Sequence, residues 1–347
     1  MPIVFDGPVT PDALTTFVRQ VPLPTQLTLN QFLPDRFFNN NRLDVAELTV
    51  TGRTARFRAY DANLHVSQRD TATIKTVKLP PLSDSIGVGE LERLQMEFAR
   101  TAGTNMGALA NAIYNDAENL TRNVQRRMEL ARGDVLLDGK FTLTGEGGLV
   151  LEADYGVPAG NLVTPAGALW SATATADPLT DLNTWITAYI ALNGYAPGGM
   201  IINRTVLNYL IANTVIRQAM GSLLGNAALL TRPMLDQALD ARALPPILSV
   251  YDTQVSVDGV STRVLPANKV ILVPGDPSQL GYTAWGVTAT ALELVNSNAS
   301  EMSFENAPGI VGVVDKDGPP YREMTYVDSV GMPVIENARA LMIATVA

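Results

Sequence analysis

The sequence predicts an α+β protein built around one long helix, and three observations predict it. Between Thr104 and Leu137, apolar residues recur at Met106, Leu109, Ile113, Ala117, Leu120, Val124, Met128, Ala131 and Val135. Gaps of three or four keep them on one helical stripe. From Glu47 to Leu79 the period drops to two. Leu48 and Val50 alternate with polar neighbours, and Ala55, Phe57 and Ala59 alternate with Arg56 and Arg58, the signature of strands. From about Asp177 to Thr288 helical and strand patterns mix, and beyond Glu293 strands return.

In chain order, residues 1–45 read as an arm. Thr10-Pro11 opens a short helix carrying Leu14, Phe17, Val18 and Val21, with the cap and first-turn proline expected there. Leu27, Leu29, Phe32, Leu33, Phe37 and Phe38 follow around Pro34. This is too apolar for a solvated tail and too irregular for a core of its own, so docking on another molecule is expected. Residues 46–80 read as a two-stranded ribbon turning near Asp61-Ala62-Asn63. Such a ribbon is marginal alone and is expected to lie across a neighbour. Pro80-Pro81 marks a boundary, followed by a short helix with Leu91, Leu94 and Phe98 on one face.

The long helix, residues 104–137, is then expected to span roughly 50 Å at ~1.5 Å per residue. Its outer faces carry Asp116, Glu118, Arg122, Arg126, Arg127, Glu129 and Arg132. Glu118 and Arg122 are spaced to pair, and Asp138-Gly139 supplies the stop. Taken by itself, this helix also suits a coiled coil or a bundle. Lys140–Glu146 and Leu149–Tyr155 read as strands joined around Gly147-Gly148. A helix with Leu182, Trp185, Ile186, Tyr189 and Ile190 stops at Asn193-Gly194, and Met200–Ile202 is a short buried strand. Helices follow at Val206–Ile211 and Leu235–Leu239. Ile247–Tyr251 begins a meander turning at Asp258-Gly259 and closed by Val270–Val273. Ile310–Val314, Glu323–Val327 and Leu341–Val346 are the clearest final strands.

The 347 residues suffice for two ordinary domains or one elaborate one. With 46% hydrophobic residues but only 17% charged, against ~25% in typical soluble domains, some apolar surface is expected to be covered by other subunits. A net charge of −9 argues against a basic nucleic-acid-binding surface. The absence of cysteine excludes disulfides and thiolate chemistry, and the single histidine, His65, excludes a histidine-rich metal site. No apolar run reaches ~18 residues, and no signal sequence is recognisable. A soluble product is expected.

No catalytic constellation emerges. No phosphate-binding loop is present, and Gly87-Val88-Gly89 and Gly145-Glu146-Gly147-Gly148 read as turns. Asp315-Lys316-Asp317-Gly318 lacks the remaining ligands of a calcium loop and reads as a polar turn. Asp236 and Asp240 read as a solvated helix face. No cofactor or metal is expected. Arginine dominates the basic residues, and Arg53, Arg56 and Arg58 on the ribbon are candidates for carboxylate pairing across subunits. With Phe57, and with Phe37 and Phe38 of the arm, they form the candidate inter-subunit interface.

The order of arm, ribbon, long helix, strand pair, mixed domain and returning strands resembles the lambda-type major capsid proteins of tailed bacteriophages, with the HK97-like fold. The tightest local similarity is Leu137-Asp138-Gly139-Lys140-Phe141-Thr142-Leu143-Thr144-Gly145-Glu146, continuing to Gly167-Ala168-Leu169-Trp170-Ser171. Others are Leu265-Pro266-Ala267-Asn268-Lys269-Val270-Ile271-Leu272, Asp35-Arg36-Phe37-Phe38 and Asn298-Ala299-Ser300.

The resemblance implies a virion subunit, assembled in the host cytoplasm as hexamers and pentamers into an icosahedral head around double-stranded DNA. It implies an N-terminal arm (1–45), an extension loop (46–80), a peripheral domain (81–176) with the spine helix, an axial domain (177–288), and peripheral return strands (289–347). Implied partners are other copies, a scaffolding protein, a portal and, in some relatives, a decoration protein, with no membrane. Some relatives crosslink through a lysine on the extension loop. Lys75 and Lys78 lie on that limb, but no partner asparagine or glutamate can be named. An encapsulin-type shell shares the fold and would be told apart by its gene neighbours. An acidic carbohydrate-active enzyme, more distant, would need a carboxylate pair converging in a pocket.

Overall fold

The structure, a computed structural model, describes residues 3–5, 7–48, 72–89, 94, 98, 108–146, 148–224, 230–318 and 322–347. The chain divides into two compact units. One comprises residues 1–43, 78–132 and 283–333; the other comprises 44–77, 133–282 and 334–347.

In the first unit, helix α1 (Pro11–Gln20) forms where the sequence predicts it. Thr10 caps it by accepting from the Ala13 N–H, and Pro11 sits in the first turn. The stretch read as an arm for another molecule docks on this chain's own unit. Leu14, Val18, Leu29 and Leu33 are fully buried. Strand β1 (Asp35–Phe37) runs parallel to β13 (Gly281–Trp285), with Phe37 opposite Trp285. Leu27, Leu29, Phe32 and Leu33, which look patternless in sequence, thus find their cover within the same chain, while Phe37 stays exposed.

Helix α1 lies against β14 (Val311–Asp317), where Thr15 Oγ1 donates to the Gly312 carbonyl at 3.1 Å. A Cβ at Gly312 would come within 2.6 Å of Val18 Cγ2, so only glycine admits the helix this closely. Strand β15 (Arg322–Ile335) pairs antiparallel with both β14 and β4 (Pro81–Val88). Pro80-Pro81 thus lies beside the change from the ribbon to the next sheet, and Pro81 itself begins a strand. Its missing N–H costs nothing at the first strand position. Gly87, read as a turn glycine, lies in β4 opposite Met324, and Asp315–Asp317, read as a turn, continue β14. Helix α7 (Ala289–Val295), capped by Thr288, occupies the start of the region expected to be strand only.

The long helix is α2, described over Ala108–Asp138. Its first residues fall outside the described range, and Gly139 follows with φ +71°, the left-handed stop that Asp138-Gly139 foretold. From Ile113 to Val135 every described member of the predicted stripe is buried. Glu118 and Arg122 do pair. Glu129 and Arg132, assigned to the outer face, are instead fully buried, for reasons given below.

The second unit centres on a five-stranded sheet. Its order is β7 (Leu162–Val163), β16 (Met342–Thr345), β12 (Lys269–Val273), β8 (Gly199–Ile202) and β9 (Ile247–Val250). Strand β8 is buried throughout, and β12 after its first residue. Helices α3 (Pro178–Asn193), α4 (Arg204–Ala212), α5 (Thr214–Leu224) and α6 (Arg232–Asp240) complete the unit. Leu182, Tyr189, Val206, Leu210 and Leu235 join the core; Ile190, predicted with them, is 42% exposed. Trp170 and Trp185 stack with centroids 5.6 Å apart. Strand β16, grouped by pattern with the returning strands, belongs to this sheet because its buried Met342, Ile343 and Ala344 pair with β12.

Two hairpins match their turn signals. Strands β5 (Lys140–Glu146) and β6 (Leu149–Asp154) meet at Gly148, φ +78°. Strands β10 (Gln254–Val257) and β11 (Val260–Arg263) meet at Asp258-Gly259, with φ of +50° and +81°. Strands β2 (Arg42–Leu48) and β3 (Ala72–Lys78) pair as the described stem of the ribbon.

Candidate functional site

The first unit contains a cleft of about 470 Å³. It is bordered by the end of α1, the segment after it, α2, β13 and residues 305–310. Its floor is a buried charged network, and three sequence segments build it.

Arg132 of α2 is the hub. Its Nη2 donates to Asp35 Oδ1 at 2.7 Å, its Nη1 to Glu129 Oε2 at 3.3 Å and its Nε to Thr283 Oγ1 at 2.9 Å. Thr283 Oγ1 donates onward to the Leu33 carbonyl at 2.9 Å, and Glu129 Oε1 accepts from the Leu29 N–H at 2.9 Å. Trp285 Nε1 also donates to Asp35 Oδ1, at 2.8 Å. A guanidinium is suited to this role because its fork satisfies several acceptors in one plane. Burial of Glu129 and Arg132 is tolerable because each is paired and hydrogen-bonded. The network ties the N-terminal segment to α2 and β13.

On another wall, Arg19 of α1 donates to three backbone carbonyls, of Ile310 (3.0 Å), Asn306 (2.7 Å) and Pro308 (3.3 Å). It thereby holds the 306–310 turn. Burial lowers the Arg19 pKa from its ordinary value. Gln125 Nε2 donates to the Val21 carbonyl at 3.2 Å, which fixes the orientation of its amide.

Of the predicted interface residues, Phe37 stands at the rim of this cleft, 63% exposed, its ring against Gly309. Phe38 is half-buried, and its N–H donates to the Trp285 carbonyl at 2.8 Å. Arg53, Arg56, Phe57 and Arg58 lie outside the described residues, as does His65. Lys78 closes β3. Asp236 and Asp240 are exposed, as a solvated helix face requires, and Asp236 pairs with Arg232 there at 2.8 Å. The signal that could have revealed Glu129 and Arg132 is their position: they sit three apart, each directly after a stripe residue, Met128 and Ala131.

Among the described residues no cluster of His, Asp or Glu could hold a metal ion, and no helix is long and apolar enough to cross a membrane. The cleft holds no nucleophile beside a base. Its chemistry is that of a hydrogen-bonding recess with apolar edges, made by Val21, Leu23 and Ile310.

The profile of the family described as Phage major capsid protein E matches residues 10–346. No curated protein matches the chain. Among solved structures, the chain is similar to a protein of E. coli CFT073 designated a prophage capsid protein. The TM-score is 0.61 at 16% identity, covering 97% of this chain and 99% of that one. It is also similar to a phage-related protein of Bordetella bronchiseptica RB50, with a TM-score of 0.55 at 14% identity over 99% and 98% of the two chains.

Proposed function

The chain belongs to the phage major capsid protein E family and has the HK97-like capsid fold, and from that premise we propose that it is the repeating subunit of an icosahedral phage head, closing as hexamers and pentamers around packaged double-stranded DNA. The observation that carries this reading is the family match, which spans residues 10–346. In it, α2 serves as the spine of the peripheral domain, and the sheet of β7, β16, β12, β8 and β9 with α3 to α6 serves as the axial domain. The ribbon of 46–80 lies on an adjacent subunit. The role is structural, without catalysis.

Assembly takes place in the host cytoplasm with a scaffolding protein and a portal, and a decoration protein is added where the phage encodes one. The net charge of −9 supports a container that repels the DNA phosphates it encloses. The test is expression with its scaffold and imaging by electron microscopy. Hollow particles of uniform size are expected; a solitary monomer under all assembly conditions would overturn the reading.

A further inference from the structure

The cleft of the first unit encloses about 470 Å³, and the charges around it do not balance. Two guanidiniums, of Arg19 and Arg132, stand against three carboxylates, of Asp35, Glu129 and Glu305. Arg132 is committed to Glu129, Asp35 and Thr283, and Arg19 donates to three backbone carbonyls. The surplus negative charge lies on the open side. Glu305 is exposed at the rim and forms no ion pair among the described residues. Asp35 is 34% exposed, and its bonds from Arg132 and Trp285 both end on Oδ1. Its Oδ2 is left without a donor among the described residues.

Beside these carboxylates the walls are apolar, with Phe37 exposed at the rim and Leu23, Pro308 and Ile310 among the lining residues. A recess of a few hundred Å³ with apolar walls and a few convergent polar groups is the usual form of a small-molecule site. A concave surface with one sign of charge in excess concentrates the opposite ion. An exposed aromatic face adds cation–π attraction, and the apolar walls take up hydrocarbon. No cluster among the described residues could hold a metal ion, so the surplus suits an organic cation and not a bare one. We propose that this cleft binds a small organic monocation, an ammonium or guanidinium on an apolar stem. Its N–H groups meet Asp35 and Glu305, and its stem meets Phe37 and Ile310. The site belongs to the folded chain itself and does not depend on the shell reading.

The test uses the purified full-length chain and three probes that share one ring and differ in charge: benzylammonium, benzyl alcohol and benzoate. In saturation-transfer NMR titrations benzylammonium should bind saturably with a Kd of ~1 mM, the range open to so small a ligand. Benzyl alcohol and benzoate should bind at least ~10-fold more weakly, for want of the charge-assisted bonds. Glu305→Gln and Phe37→Leu alter exposed side chains and should leave the unfolding temperature unchanged. Each should nevertheless weaken benzylammonium by about two- to fivefold. Glu305→Arg makes the surplus charge positive and should reverse the preference, so that benzoate binds better than benzylammonium. No saturable binding, equal binding of benzylammonium and benzyl alcohol, or a benzylammonium signal indifferent to all three variants would overturn the proposal. Particle formation is a separate readout, so either reading can fail without the other.

Discussion

The two units are held together by different chemistry. In the second, the sheet core is apolar almost throughout: β8 and β12 are buried, the two indoles stack, and Tyr189 finds the Ala340 carbonyl at 3.0 Å. In the first, the N-terminal segment is fastened by one guanidinium answering two carboxylates and a threonine. Apolar burial is non-directional and survives small shifts. A buried ion network has value only while every member keeps its partner. The contrast teaches that the N-terminal segment adds a directional fastening, centred on one residue, to its apolar burial.

The largest expected effect breaks that attachment. Arg132→Ala leaves Glu129 buried without its cation and should destabilise the first unit by about 3–5 kcal/mol. Hydrogen exchange should show it as lost protection at Leu29 and Leu33, with the second unit's sheet unaffected. Leu272→Ala, fully buried in β12, is the matching cut in the apolar core. It should cost about 2–4 kcal/mol, read as a lower urea midpoint, with protection lost in β8 and β16 but not around Leu29.

The smallest effect sharpens the contrast by pH. The Asp328 pKa is raised, chiefly by burial, against the lowering influence of hydrogen bonds from Thr290, Thr288, Tyr326 and the Ser329 backbone. A carboxyl raised in the folded state binds its proton more tightly there than when unfolded. Its contribution is therefore present at low pH and lost as pH climbs through the folded value. The wild-type urea midpoint, relative to that of Asp328→Asn, should fall as pH rises above the ordinary aspartate range. A difference independent of pH would show that Asp328 titrates alike in both states.

Legibility from sequence follows the same division. Local signals were readable because their causes are local: Thr10-Pro11 starts α1, Asp138-Gly139 and Asn193-Gly194 end α2 and α3, and Asp258-Gly259 turns a hairpin. The apolar stripe of α2 and the strands at Met200 and Val270 were readable because burial imposes a period. The network was not. Asp35 and Thr283 are 97 and 151 residues from Arg132, so in sequence Glu129 and Arg132 look like any charged pair facing water. Phe37 was recognisable as an apolar residue in need of cover, but the cleft beside it was not, since its walls come from four separate stretches. Strand β4 was hidden by its opening proline and its glycine.

Strand β14 leaves no room above Gly312, because α1 already fills the space a side chain would take. Position 312 is thus closed to probes and grafted peptides: anything heavier than hydrogen there acts as a wedge under the helix. A reporter placed there would describe a pried-open N-terminus and not the native one, whereas the far, solvent-facing side of α1 accepts a label at no such cost.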